Sequence, residues 1–239
     1  MNRKDARVLV VGVGGLGCPA ALALAHAGVG ALRLCDDDRV ELGNLHRQIL
    51  FDEASVGKPK LEQAAGALDG RSDCAIELAA TRFFPSAARE LLRGCDLVVE
   101  GADNFATKFL VADACALAGV PVIHAAAVRM HGTALAVGAR GGPCYRCVFE
   151  DLPREHVQNC AEAGVLGPMV GVVGALQAAL ALAMLDGRDV AGTLVSYDAE
   201  SDRLRRIRVS RRASCALCGE NPAIIDLDEA RYASELCVA

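Results

Sequence analysis

The chain has no long run of like charge, and its formal net charge is only −5. Binding duplex nucleic acid or an anionic membrane surface needs clustered Lys and Arg, so both are excluded as partners. The N-terminus, MNRKDARVLVVG, enters an apolar strand at once, without the apolar segment and small-residue cleavage site of an export signal. No repeat, low-complexity tract or flexible linker interrupts the sequence. The five histidines lack metal-ligand spacing, and His124 and His131 read as structural. Long hydrophobic runs are confined to residues 165–185, where Pro168, Gly171, Gly174 and Gln177 interrupt the stretch and no basic flank follows. That pattern predicts a buried helix packed closely through its glycines rather than a membrane span.

What is present points to a folded enzyme-like domain. A hydrophobic fraction of 53% over 239 residues provides a large core. Eleven cysteines without an export signal predict a cytoplasmic protein, where paired cysteines hold metal or do redox chemistry more often than they form disulfides. Strands are expected at 8–13, 31–36, 75–83, 96–101 and 120–125, alternating with helices at 16–27, 58–69, 86–93 and 104–118. Such alternation implies a doubly wound, Rossmann-like, mostly parallel sheet. Beyond residue 130 the runs 132–139, 193–200 and 203–210 read as antiparallel strands, the last two as a hairpin. The arginines of the final strand alternate with Leu, Ile and Val, as on a solvated sheet face.

Gly12-Val13-Gly14-Gly15-Leu16-Gly17 fits G-x-G-x-x-G between the first strand and the first helix. Glycines allow the tight turn, and the helix N-terminus favours phosphate. Asp36 lies 24 residues beyond Gly12, where a carboxylate can accept bonds from ribose hydroxyls, with Asp38 close behind. NAD(P) and ATP share this cradle. The segments that follow favour ATP: Gly43-Asn44-Leu45-His46-Arg47-Gln48, then Gly57-Lys58-Pro59-Lys60, then Gly101-Ala102-Asp103-Asn104 at a strand end. A triphosphate needs cations to offset its charge, and a carboxylate to hold Mg²⁺ against it.

Cys144-Tyr145-Arg146-Cys147 and Cys215-Ala216-Leu217-Cys218 are matching C-x-x-C pairs, which together suit a closed tetrahedral zinc site of structural type. Cys160 stands apart in a polar loop, either as a nucleophile or as a half-buried thiol. Cys18, Cys35, Cys74, Cys95 and Cys115 read as small core residues.

GVGGLGC, GNLHRQ, VGKPK, GADN, GPCYRCVF, NCAEAGVLGP and CALC occur in an order that resembles the MoeB/ThiF adenylyltransferases, bacterial relatives of ubiquitin-activating enzymes. The likeness covers nearly the whole chain and is nearest to the molybdopterin-synthase branch, with the thiamine branch next. It implies a single adenylation domain over 1–239, with a nucleotide-binding half (1–130) and an antiparallel, zinc- and carrier-binding half (131–239). The implied reaction joins the C-terminal Gly-Gly carboxylate of a ubiquitin-like sulfur carrier protein to AMP, before a sulfur donor converts it to a thiocarboxylate.

Carried over by motif, Gly12, Gly14, Gly15 and Gly17 would line the phosphate turn, and Asp36 and Asp38 would serve the ribose. Asn44, Arg47, Gln48 and Lys60 would surround the phosphates, and Asp103 would hold Mg²⁺ with Asn104 beside it. Cys144, Cys147, Cys215 and Cys218 match the zinc ligands, and Cys160 matches a position where some relatives form a covalent acyl link. Arg47, Lys60, Asp103 and Cys160 are therefore the candidate catalytic residues. A homodimer is expected. Family members carry an R-Y-x-R-Q segment before the first strand; here the strand begins at Val8, leaving Arg3 or Arg7 as stand-ins. No rhodanese-like segment follows, so a separate persulfide source is the expected donor. Three other readings stand beside this one: activation of a small-molecule or peptide carboxylate on the same fold, an NAD(P) oxidoreductase, and a non-catalytic binder of a ubiquitin-like protein.

Overall fold

β1 (Arg7–Val11) and β4 (Leu97–Glu100) are short runs of Val and Leu buried on both faces, as the centre of a parallel sheet requires. The computed structural model describes residues 2–70, 72–153 and 163–232. Its strands form one eight-stranded sheet in the order β3-β2-β1-β4-β5-β6-β7-β8. The pairs β1–β2 (Ala31–Cys35), β2–β3 (Ala75–Ala79), β1–β4 and β4–β5 (Val122–Val128) are parallel. β6 (His131–Val137), β7 (Thr193–Asp198) and β8 (Arg203–Arg208) continue the sheet in antiparallel register. The mixed architecture is the one the sequence predicts, with strand ends displaced by a few residues. The third strand stops at Ala79 rather than 83, because Ala79 O accepts from Thr81 N–H and turns the chain.

Side-chain alternation divides the core. Val8 and Val10 join α1 (Gly17–His26), α2 (Lys60–Leu68) and the long α5 (Gly167–Leu185) on one face. Leu9 and Val11 join α3 (Pro85–Leu92) and α4 (Phe105–Ala118) on the other, together with the cysteine knuckles. α5 is long and apolar enough to cross a bilayer by composition, with mean hydropathy 1.9 over its richest window. It lies instead against α1 and the sheet: Met169, Val173 and Leu180 are buried, and Gln177 donates from Nε2 to Glu100 O (2.7 Å) and Ile123 O (2.8 Å). Gly174 is required there, since a Cβ would press on Pro19 and Leu16 O. Four of the five cysteines read as core are buried; Cys74, preceding β3, is only partly so. Arg3 pairs with Asp186 and Arg7 with Glu77, so both are engaged within the chain.

Candidate active site

β1 and β4 are neighbours, yet the chain leaves β1 toward β2 and β3 before crossing back, so a crevice opens at the C-terminal ends of β1 and β4. The glycine turn and the Gly101–Asp103 loop lie packed side by side at these strand ends. Gly12 adopts φ +83°, and a Cβ on it would lie 3.2 Å from the backbone of Gly101 and Ala102. A Cβ on Gly17 would collide with Gly12 O. These two glycines are therefore needed for the fold itself. Gly14 and Gly15 differ, because a Cβ there would meet only ordinary contacts: Gln48 Nε2 at 3.7 Å, and Val170 and the Arg47 stem at 3.4–3.5 Å. Their bareness serves no internal packing and leaves the turn open to a ligand.

A short bridge between Arg39 and Pro59 carries the two cationic segments to this crevice. Lys60 N–H donates to Asp38 O (3.0 Å), and Val40 N–H to Lys58 O (2.9 Å). Lys60 is buried, with its Nζ on Asp38 Oδ2 at 2.8 Å. Burial acts to lower its pKa, but Asp36, Asp38 and Asp103 outweigh burial and raise it. Arg47 Nη2 donates to Asn44 Oδ1 at 2.6 Å, and Asn44 Nδ2 to Glu41 Oε2 at 3.0 Å. Gln48 is buried beside the turn, and its Oε1 has no partner among the described residues. A buried amide oxygen left unpaired costs about 1–3 kcal/mol.

Asp36 accepts Val13 N–H (2.7 Å) on one oxygen and Asp38 N–H (2.8 Å) on the other. Burial raises its pKa, partly offset by Lys60 and these two N–H groups. Asp103 is exposed and makes no hydrogen bond or ion pair among the described residues, which leaves its carboxylate available to a cation. Asn104 caps α4, accepting Thr107 N–H at 2.8 Å, so its amide oxygen already has a structural task. Of the predicted site residues, Gln48 and Arg47 thus lie against Gly14 and Gly15, Asn44 holds Arg47, and Asp36 holds the turn at Val13. Lys60 pairs with Asp38 and feels Asp36 and Asp103, whereas Gly12, Gly17 and Asn104 serve the fold itself. Cys160 lies outside the described residues.

On the α4 face, the Sγ atoms of Cys144, Cys147, Cys215 and Cys218 all lie within 4.8 Å of one another. Neighbouring pairs are 3.9 Å (Cys144–Cys147), 3.5 Å (Cys144–Cys215) and 3.4 Å (Cys147–Cys218) apart. Zn–S bonds of about 2.3 Å place tetrahedral sulfurs about 3.8 Å apart, so the donor set fits Zn²⁺. Arg212 N–H donates to Cys147 Sγ (3.5 Å). Burial pushes the Cys215 thiol up, but N–H groups of Cys218 and Leu217 and the neighbouring thiols reverse this and lower it to about 7. Gly219 permits the second knuckle, since a Cβ there would strike the backbone of Ala213 and Cys215.

Several polar contacts escaped sequence reading. Glu100 and Lys108 form a buried cluster behind Asp103 with His124, which was read as structural, and Arg146 and Tyr232 both meet Asp113 beneath the knuckles. The available signal was a carboxylate ending the apolar run LVVE.

The model of the ThiF family matches residues 2–217. The chain belongs to the ThiF family. It is 46% identical over 235 residues to the adenylyltransferase and sulfurtransferase MOCS3 of Sus scrofa, covering 96% of this chain and 51% of that protein. Against the Mus musculus MOCS3 it is 46% identical over 233 residues, covering 94% and 50%. The chain therefore spans about half the length of the curated relatives it matches. Escherichia coli MccB, solved with ATP, has the same fold: TM-score 0.77 at 23% identity, covering 91% of this chain and 68% of that one. This ThiF-family assignment agrees with the motif order of the sequence.

Proposed function

We propose that this ThiF-family chain is an ATP-dependent adenylyltransferase acting on the C-terminal carboxylate of a small ubiquitin-like sulfur carrier that ends in Gly-Gly. The observation that carries the reading is that Arg47 lies against the open Gly14–Gly15 face while Lys60, from a separate segment, sits beside Asp36, the carboxylate that holds the turn at Val13. Two fixed cations beside a phosphate cradle serve phosphoryl chemistry better than hydride transfer. The names of the MOCS3 relatives agree with it.

In this reading the incoming carboxylate oxygen attacks the α-phosphorus of ATP. The bond from that phosphorus to the oxygen leading to the β-phosphate breaks, and pyrophosphate departs. Arg47, oriented by Asn44, and Lys60, held by Asp38, offset the charge that spreads over the phosphate oxygens. Asp36 orients the ribose, and Gly12, Gly14, Gly15 and Gly17 present the turn. Mg²⁺, held by Asp103, would neutralise phosphate charge and favour departure of pyrophosphate. Cys144, Cys147, Cys215 and Cys218 would hold Zn²⁺, which would tie the region after β6 to the region after β8. A persulfide sulfur then attacks the acyl carbon and AMP departs, and a second thiol reduces the resulting acyl disulfide to the thiocarboxylate, with Cys160 as the candidate thiol for any covalent link. A homodimer is part of the proposal, supported by the exposed apolar stripe Pro168, Val172, Ala175 and Ala179 along α5.

The test is exchange of labelled pyrophosphate into ATP, dependent on a Gly-Gly-ending carrier. Exchange that vanishes when the carrier's last glycine is removed supports the reading; binding of NAD(P) in place of ATP, with no exchange, overturns it.

A further inference from the structure

Glu100 ends β4 three residues before Asp103, and its side chain is wholly buried. Donors from three other elements converge on it. Oε1 accepts Ala102 N–H at 2.6 Å and Lys108 Nζ at 3.1 Å, and Oε2 accepts Lys108 Nζ and His124 Nδ1, both at 3.0 Å. Lys108 Nζ donates further to Ala125 O at 2.5 Å. The ends of β4 and β5, the first turns of α4 and the Gly101–Asp103 loop are thus tied to one carboxylate.

That loop has no slack. Gly101 N–H donates to Val11 O at 2.9 Å, and its backbone with that of Ala102 packs against Gly12 so closely that no Cβ fits comfortably between them. A shift of Ala102 would therefore change the gap between Asp103 and the glycine turn. A buried ion pair is weak evidence for stability, since apolar residues of similar volume often serve as well. The acceptor for Ala102 N–H is what they would not replace.

We infer that Glu100 is a positioning residue: its carboxylate fixes the Gly101–Asp103 loop so that Asp103 meets the cation of the nucleotide. The inference rests on the reading of Asp103 as a magnesium ligand. Neither the sequence motifs nor the family resemblance marks Glu100.

The test uses Mn²⁺ as the probe, titrated by electron paramagnetic resonance into the full chain with a non-hydrolysable ATP analogue, alongside thermal melts. The double variant Glu100→Leu with Lys108→Met removes both charges and the acceptor; it is expected to fold and to bind Mn²⁺ about tenfold more weakly. The double variant Glu100→Gln with Lys108→Met keeps an acceptor oxygen, and parental binding is expected. If the apolar pair fails to fold, Glu100→Asp is read the same way, because it draws the carboxylate back from Ala102 while keeping a charge opposite Lys108. Parental Mn²⁺ binding in the folded Leu/Met variant, with loss in Asp103→Ala, overturns the role of Glu100 alone. Parental binding in Asp103→Ala overturns the magnesium reading and this inference with it.

Discussion

Arg146, set between the two thiols of the first knuckle, grips both carboxylate oxygens of Asp113 from Nε (2.8 Å) and Nη2 (2.9 Å) inside the core. Tyr232 OH donates to the same carboxylate at 2.8 Å, and Arg146 lies over the Phe109 ring. Asp113 stands in the middle of α4, the helix that Asn104 caps beside Asp103. The cysteine cluster and the nucleotide crevice thus share one helix.

Asp113→Ala leaves the buried Arg146 guanidinium with only the exposed Asp151 carboxylate (3.3 Å) and Glu150 O (3.1 Å), both on Nη1, so Nε and Nη2 lose their partner. The expected loss is about 3–5 kcal/mol, read from urea unfolding. A loss below about 1 kcal/mol would mean that the guanidinium is not buried as described.

Lys60→Ala and Arg47→Ala are expected to lower pyrophosphate exchange at least about a hundredfold each. Arg47→Ala is expected to keep an unchanged melting curve and Lys60→Ala to show a lowered one, since Asp36 and Asp38 lose their buried counter-charge. Near-normal exchange in either variant would remove that cation from the reaction.

The four glycines of the turn should separate into two classes. Gly17→Ala is expected to destabilise the chain, because its Cβ has nowhere to go. Gly14→Ala is expected to melt like the parent and bind ATP weakly, because only a ligand contests that space. Equal melting points with equal ATP affinities would undo the distinction; calorimetric titration with ATP measures it.

Cys215→Ser is expected to reduce zinc from about one per chain and to lower the melting temperature, as judged by atomic absorption and calorimetry. Unchanged metal content would dissociate the cysteines from zinc.

Burial holds the His124 imidazole below the usual histidine range, and Glu100 offsets this only in part. The unfolded chain takes up a proton near pH 6.5 that the folded site resists. This contribution to stability is therefore present above about pH 6.5 and is lost as pH falls toward the folded value, by at most about 1.4 kcal/mol per pH unit. His124→Gln is expected to flatten the decline of urea stability between about pH 7 and pH 5; an unchanged slope would mean that His124 is charged in the native state.

Local chemistry written in the chain was legible. Gly12 at the tight turn and the apolar run Val8–Val11 of β1 are properties of short segments, and their elements lie within a few residues of their expected places; Asn104, read as a site residue, caps α4 instead. The paired C-x-x-C spacing foretold a four-sulfur cluster, because each pair already holds two thiols close together. Apolar α5 was read as buried because Pro168, Gly171, Gly174 and Gln177 interrupt it and no basic flank follows; Gly174 and Gln177 do pack closely, whereas a Cβ on Gly171 would meet nothing.

The ion-pair clusters were not legible. Glu100 and His124 are separated by 24 residues and meet only because β4 and β5 pair in register. Arg146 finds Asp113 only because the first knuckle closes over α4, and Lys60 finds Asp38 only through the bridge at Arg39 and Pro59. By itself the sequence determined which segments become strands, turns and thiol pairs, since those follow from side-chain period and backbone freedom. Which charges are buried together, and so which carboxylates stay available to a cation, was decided by the tertiary structure. Desolvation and pairing depend on neighbours that the chain brings close only by folding.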